Sequence, residues 1–148
     1  MIASLRKSYM NPPQGWTDHL LTGIPEIDLQ HQVLFDVAAR LDLAVTSEEK
    51  WSAVHFALVE LTNFANIHFA VEESLMRLHG YPDLDAHIAE HRKFSAELAE
   101  IKKHSIRDDV SDEMTALVRN WLVGHIGVVD RAYVPHLRTA AVVIAARN

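Results

Sequence analysis

The stretch His68-Phe-Ala-Val-Glu-Glu-Ser-Leu-Met-Arg-Leu-His-Gly80-Tyr-Pro82 combines a pair of polar side chains with a sharp helix end. His68 and Glu72 are four residues apart, so on a helix their side chains lie on the same face, one turn apart. Gly80 suits the position just beyond a helix end, and Pro82 cannot continue the helix. The stretch therefore predicts a helix that carries a metal-binding pair shortly before it ends.

Four long segments of the chain repeat apolar residues at spacings of three and four, whereas strand patterns are nearly absent. They predict helices at about residues 27–45, 47–78, 84–104 and 111–133, and Pro135 either closes the last helix or restarts the chain. The stripe of the first helix is Leu29, Val33, Leu34, Val37, Leu41 and Val45. Long helices joined by short turns fold up and down, so we predict an all-α protein, an antiparallel four-helix bundle.

At 148 residues the chain has the length of one domain, which we expect to span residues 1–148. An irregular N-terminal arm over residues 1–24 contains Trp16 and is expected to pack across the bundle. The bundle itself takes about residues 25–134, and a short C-terminal helix or tail takes residues 135–148. Two helix starts carry capping signals: Thr46 with Glu49 reads as a capping box, and Ser111 reads as an N-cap.

Composition excludes several classes of function. The formal net charge of −6 argues against nucleic acid as a partner, because phosphate binding depends on clustered Lys and Arg. The absence of cysteine removes disulfides, thiolate zinc sites and thiol nucleophiles together. No apolar run of about 18 residues and no signal-peptide pattern occurs, so we expect no membrane span and a cytoplasmic location.

Histidine is unusually frequent, with ten in the chain, and each predicted helix carries one or two that can face a common interior. A lone histidine such as His55 or His104 is more often a surface or core residue than a ligand. Four compatible groups, one on each helix, are instead how metal sites are built in bundles. The seven candidate ligands are His31, His68, Glu72, His87, His91, His125 and Asp130.

This donor set suits two iron ions better than a single ion. Five imidazoles and two carboxylates exceed the four ligands of a zinc site. If both carboxylates bridge, together with one hydroxide or oxide, the set fills all but one position of two octahedral ions. The open position falls on the ion with only two histidines, where a small ligand would bind. Imidazole ligands favour iron, whereas an all-oxygen site would indicate magnesium or calcium.

The spacing of His125 and Asp130 does not fit a regular helix. Five residues place two side chains about 140° apart on an ideal α-helix. Both can reach one cluster if the helix is locally widened as in a π-bulge, and Gly124 and Gly127 weaken the helix there. We therefore predict a distorted turn between His125 and Asp130.

Three classes of function are open to a di-iron bundle. Ferritins and di-iron oxidases use paired Glu-x-x-His motifs in a carboxylate-rich shell, and no Glu-x-x-His occurs in this chain. No His-Glu-x-x-His or nucleophile motif indicates hydrolysis. We therefore prefer a binding protein to an enzyme; an oxygen or redox sensor, or a di-iron oxidase or peroxidase, is the alternative.

At these residues the sequence resembles the hemerythrins, specifically the bacterial single-domain ones. Trp16 also sits where that family usually has an aromatic residue, and the resemblance covers about Trp16 to Leu137. The matching pieces are Gly23-Ile-Pro-Glu-Ile-Asp-Leu-Gln-His31, His68-Phe-Ala-Val-Glu-Glu-Ser-Leu-Met76, Gly80-Tyr-Pro82, His87-x-x-x-His91-x-x-Phe94 and Trp121-Leu-x-x-His125-Ile-x-x-x-Asp130.

The resemblance implies a role for each ligand. His87, His91 and His125 would hold the coordinatively full iron. His31 and His68 would hold the iron with the open position, and Glu72 and Asp130 would bridge the two. Dioxygen would bind end-on to the five-coordinate iron as a hydroperoxide, beside the bridging hydroxide or oxide.

The resemblance also implies a pocket and a physiological class. Reversible binding needs a dry, apolar surrounding, for which the candidate residues are Leu34, Phe69, Trp121, Leu122 and Ile126. The implied protein is a carrier, store or delivery protein for dioxygen. We expect a monomer, and an oxygen-consuming enzyme is the partner to look for.

Overall fold

The computed structural model describes residues 14–105 and 109–145, with side chains up to residue 138. After a 3₁₀ turn at Asp18–Leu20, the helices are α1 (Pro25–Ala44), α2 (Lys50–Leu78), α3 (Leu84–His104), α4 (Ser111–Gly124) and α5 (Asp130–Ala145). A π-helix at His125–Val129 joins α4 to α5, so the three pieces form one long fourth helix. Both α1 and α3 pack against α2 and α4. The predicted antiparallel four-helix bundle is confirmed, and the described residues contain no strand.

The interior consists of two apolar clusters with a polar layer between them. The larger cluster includes Leu41, Leu61, Phe94, Leu98 and Met114. The smaller cluster is Ile27, Met76, Tyr81, Tyr133 and Leu137. On α1, His31 lies between Ile27 of the smaller cluster and Leu34 of the larger one. The polar candidates therefore lie where the two cores meet, which keeps water away from them on both sides.

The N-terminal arm is held to the bundle at its described end. The indole of Trp16 lies edge-on to the ring of Phe35, with 5.6 Å between ring centroids. Asp28, in the first turn of α1, accepts hydrogen bonds from the Thr22 N–H at 2.7 Å and the Gly23 N–H at 3.0 Å. The predicted packing of the arm is present over residues 14–24, and the rest of the arm lies outside the described residues. No helix in the described part of the chain is long and apolar enough to cross a membrane.

Neither of the two predicted helix caps is present. The hydroxyl of Thr46 donates to the Leu43 carbonyl, so it does not cap α2, and α2 begins at Lys50. Ser111 is the first residue of α4, and its N–H donates to the carboxylate of Asp109, which takes the capping role instead. In both places a neighbouring polar group competes for the same backbone partners. Leu29, assigned to the apolar stripe, is 49 % exposed.

Pro135 does not close the fourth helix. Helix α5 continues through it to Ala145, so the expected break after Tyr133 is wrong. A proline inside a helix costs about 3 kcal/mol, and packing offsets that cost. Tyr133 and Leu137, one turn apart on either side of the proline, are 0 % and 6 % exposed and lie in the same apolar cluster.

Candidate metal centre

All seven candidate ligands are buried, with between 0 and 3 % of each residue exposed. Their ligand atoms form two overlapping groups, and the atoms within each group lie within 4.8 Å of one another. One group is Glu72, His87, His91, His125 and Asp130, and the other is His31, His68, Glu72 and Asp130. The two carboxylates are common to both groups, which is the arrangement that two bridged ions require.

The orientation of each carboxylate suits a bridge. Asp130 directs Oδ2 to His31 Nε2 at 3.1 Å and Oδ1 to His125 Nε2 at 3.0 Å. Glu72 directs Oε1 to His31 Nε2 at 3.5 Å and Oε2 to His91 Nε2 at 3.2 Å. Glu72 Oε2 is also 3.3 Å from His68 Nε2. Each carboxylate therefore contacts histidines of both groups.

The π-helix brings Asp130 into the cluster. The Asp130 N–H donates to the His125 carbonyl five residues back, so the turn between them is one residue wider than an α-helical turn. His125 and Asp130 then share one face although they are five residues apart. The predicted distortion at this place is confirmed.

The buried polar atoms indicate that the cluster fits a cation. Among the described residues, nine buried side-chain nitrogen or oxygen atoms have no hydrogen-bond partner. Six of them face other members of the cluster: Nε2 of His31, His68 and His87, Oε2 of Glu72, and both oxygens of Asp130. Buried polar groups without partners are costly and rare. Imidazoles with two carboxylates form a donor set that iron accepts, so these residues fit the di-iron pair.

Two histidines have partners that fix which ring nitrogen faces inward. His91 Nδ1 lies 2.9 Å from Glu73 Oε1, and His68 Nδ1 lies 2.9 Å from Gln30 Oε1. A carboxylate or amide oxygen accepts from Nδ1–H, so in the neutral ring the lone pair is on Nε2. The Nε2 atoms of His91 and His125 are 3.1 Å apart, as expected of two rings that converge on one ion.

Tyr133 supports the cluster from the smaller apolar core. Its hydroxyl donates to Glu72 Oε1 at 2.5 Å, and the residue is fully buried. Burial and the Glu72 carboxylate raise the pKa of Tyr133 far above its usual value, so the hydroxyl keeps its proton and donates it. Gln30, Glu73 and Tyr133 were not among the residues predicted from the sequence. Tyr133 alone had a signal, since it lies one turn after Asp130 on the same helix face.

The side chains themselves set the charges at the site. Burial opposes a charge on His31 and His87, but the attraction of the nearby carboxylates of Asp130 and Glu72 outweighs it and raises the pKa of each to about 9. Burial lowers the pKa of His68 to about 4. Burial would raise the pKa of Glu72, yet the surrounding histidines hold it well below its usual range. Without a metal ion, protons on His31 and His87 therefore balance the two carboxylates.

The five predicted pocket residues lie in or against the larger apolar cluster. Leu34, Phe69, Leu122 and Ile126 are at most 5 % exposed, and Trp121 packs on them. Phe69 stacks on His91 with 3.9 Å between centroids, and Trp121 stacks on His125 at 4.4 Å. These two rings therefore cover the three-histidine group. Leu34 lies one turn beyond His31, next to the two-histidine group, so the five residues surround both sides of the cluster.

Comparisons with known proteins agree with this geometry. The Hemerythrin HHE cation binding domain family matches residues 22–137. A bacteriohemerythrin of Stenotrophomonas maltophilia is 35 % identical over 124 residues, which cover 83 % of this chain and 80 % of that protein. One of Methylococcus capsulatus is 37 % identical over 119 residues, or 78 % of this chain and 89 % of that protein. A solved wild-type hemerythrin has 33 % identity and a TM-score of 0.77, over 84 % of this chain and 97 % of that one. This chain belongs to the hemerythrin family.

Proposed function

We propose that this protein binds dioxygen reversibly at a non-haem di-iron centre held by His31, His68, Glu72, His87, His91, His125 and Asp130. The observation that carries the proposal is the pair of overlapping ligand groups that share both carboxylates. A single tetrahedral zinc ion would use four of these seven residues and leave three buried ligand residues without a role. The family match and the bacteriohemerythrin relatives support the same metal and the same ligand.

The unequal size of the two groups supports binding of a small ligand. When bound, a pair of ferrous ions supplies two electrons and one open coordination position. One group has five ligand residues and the other, with His31 and His68, has four. The open position would therefore belong to the ion held by His31 and His68.

The residues around the centre favour reversible binding over oxidation of other molecules. Leu34 and Ile126 are 0 % exposed, and Phe69 and Trp121 cover His91 and His125. An apolar surrounding keeps out water and external protons, which would otherwise release the reduced dioxygen as hydrogen peroxide and leave the iron oxidised. Tyr133 holds one oxygen of Glu72 in place through its hydroxyl. On these grounds we propose a binding protein, used as a carrier, store or delivery protein, and not an enzyme.

The visible absorption spectrum of the reduced, iron-loaded protein tests the proposal. We expect a charge-transfer band to appear in air and to disappear again under argon. The variant His68→Gln should lose this cycle because it removes a ligand from the four-residue group, while His55→Gln on the same helix should keep it. Immediate oxidation that argon does not reverse would contradict the proposal and favour the oxidase, peroxidase or sensor alternative.

A further inference from the structure

His91 and His68 have hydrogen-bond acceptors of different charge at Nδ1. His91, of the five-residue group, has its Nδ1 at 2.9 Å from the carboxylate of Glu73. His68, of the four-residue group, has its Nδ1 at 2.9 Å from the side-chain amide oxygen of Gln30. The two distances from Nδ1 to the acceptor oxygen are equal, whereas the charges of the two acceptors differ. His31 of the four-residue group and His125 of the five-residue group each lack a hydrogen-bond partner for Nδ1 among the described residues, so the contrast between the groups rests on Glu73 and Gln30.

This difference changes how strongly each histidine donates to a cation. A carboxylate that accepts the Nδ1–H of an imidazole makes the Nε2 lone pair more basic and fixes the ring, which strengthens the bond to a metal. An amide oxygen fixes the ring equally well but adds no negative charge. The four-residue group therefore has fewer ligand residues and only a neutral supporting partner. The five-residue group has both the larger ligand number and the anionic partner.

The position of Glu73 makes the effect measurable without loss of the fold. Its side chain is 24 % exposed and lines an open surface depression together with Asn66, Arg92 and Ser95. Replacing the carboxylate by an amide there leaves no buried charge or void. Solvent partly screens the charge of this partly exposed carboxylate. We therefore expect the loss of metal affinity to be at the lower end of the range known for groups that support metal ligands.

We propose that Glu73 and Gln30 are positioning residues that make the two metal positions unequal, so that the first ion binds with His87, His91 and His125 and the second with His31 and His68. This inference rests on the proposed di-iron centre. It assigns the weaker, later-filled position to the same group that has the open coordination site. Glu73 and Gln30 would thus set the order in which the centre assembles.

Titration of the chelator-treated protein with Co²⁺ alone tests the inference. The wild type should bind two ions in two resolved steps, and the first should shift the proton resonances of three histidines. Glu73→Gln keeps the size of the side chain and an oxygen acceptor, and it should weaken the first step about tenfold, since loss of a supporting group costs about 10–100-fold in affinity. Gln30→Glu should strengthen the second step. The matched control Glu97→Gln, an exposed charge loss on α3, should change neither step.

The outcomes separate the inference from the proposed function. Binding of fewer than two Co²⁺ ions by the wild type would overturn the di-iron centre itself. Two ions bound with one affinity, or a Glu73→Gln protein that behaves like Glu97→Gln, would overturn only the inequality of the two positions. Equal weakening of both steps by Glu73→Gln would also overturn it, because a general structural effect would then explain the change. Gln30→Glu tests the second position independently if Glu73→Gln does not fold.

Discussion

The hydroxyl of Tyr133 contributes to stability through one hydrogen bond to a buried carboxylate. It donates to Glu72 Oε1 at 2.5 Å, where both residues are almost completely buried. Tyr133→Phe should lower the free energy of unfolding of the metal-free protein by about 1.5–3 kcal/mol, the usual range for a hydrogen bond to a charged group. Urea denaturation measures this loss. Tyr81→Phe, which removes the hydroxyl of the neighbouring ring but not the bond to Glu72, is the control, and an equal effect of both substitutions would contradict the argument.

The histidines of the cluster should make the stability of the metal-free protein depend on pH. The pKa of His31 and of His87 rises from 6.5 to about 9 on folding, so their stabilisation is complete below pH 6.5 and is lost as the pH rises to 9. One such shift corresponds to roughly 3 kcal/mol. The pKa of His68 falls to about 4 on folding. For this residue the folded protein therefore loses stability as the pH falls from 6.5 to 4.

We therefore expect maximal stability of the metal-free protein near pH 6.5, measured by denaturation at a series of pH values. Bound metal ions compete with protons for the same ring nitrogens. The metal-loaded protein should accordingly lack the decrease towards pH 9. A flat profile of the metal-free protein between pH 6.5 and 9 would show that His31 and His87 are not protonated in the fold.

At the level of elements, the π-helix is best understood as one residue inserted into an otherwise regular helix. Val128, inside it, is 70 % exposed and belongs to no core cluster of the described residues. Deletion of Val128 would leave His125 and Asp130 four positions apart, which on an α-helix is again a shared face. We expect this deletion variant to keep its binding of two metal ions, as measured by metal analysis after dialysis.

Deletion of Ala132 provides the contrast, since it also removes one exposed residue from the same long helix. It would rotate Tyr133 and Leu137 by about 100° away from the interior, and both are buried. This variant should be much less stable, and it should lose the hydrogen bond from the Tyr133 hydroxyl to Glu72. If the deletion of Val128 abolished metal binding while that of Ala132 did not, the interpretation of the π-helix as a register insertion would be wrong.

For the whole molecule, we expect binding of metal at the proposed centre to stabilise the bundle. The polar layer between the two apolar clusters contains six buried atoms without hydrogen-bond partners that face other cluster members. An ion bound only by the folded protein adds about 2.7 kcal/mol at a hundredfold excess over its Kd. For a chain of this size that corresponds to an increase in Tm of about 5–10 °C.

Thermal denaturation under anaerobic conditions, with and without Fe²⁺, measures this increase. Mg²⁺ is the matched control, because it prefers oxygen ligands and should leave the Tm unchanged. An equal increase with both ions would indicate non-specific binding to the acidic surface. Removal of the iron with a chelator should return the Tm to its starting value.

The sequence by itself determined the features that depend on helical periodicity. The apolar spacing predicted four helices, and it predicted both ends of α3 to the residue. The same periodicity assigned the seven candidate ligands to inward faces, where they form two groups that share two carboxylates. The one spacing that does not fit an α-helix, between His125 and Asp130, predicted the widened turn. Periodicity is a local property, so the residues alone contain it.

Only the tertiary structure decided the features that depend on contacts between distant segments. The continuation of the fourth helix through Pro135 follows from the burial of Tyr133 and Leu137 in a cluster formed with other helices. The pairing of Gln30 with His68 joins α1 to α2, and that of Glu73 with His91 joins α2 to α3. No spacing along the chain reveals which side chains meet across a helix interface, because that depends on how the helices rotate and pack against one another. The residues that support the ligands were therefore found only once the bundle was assembled.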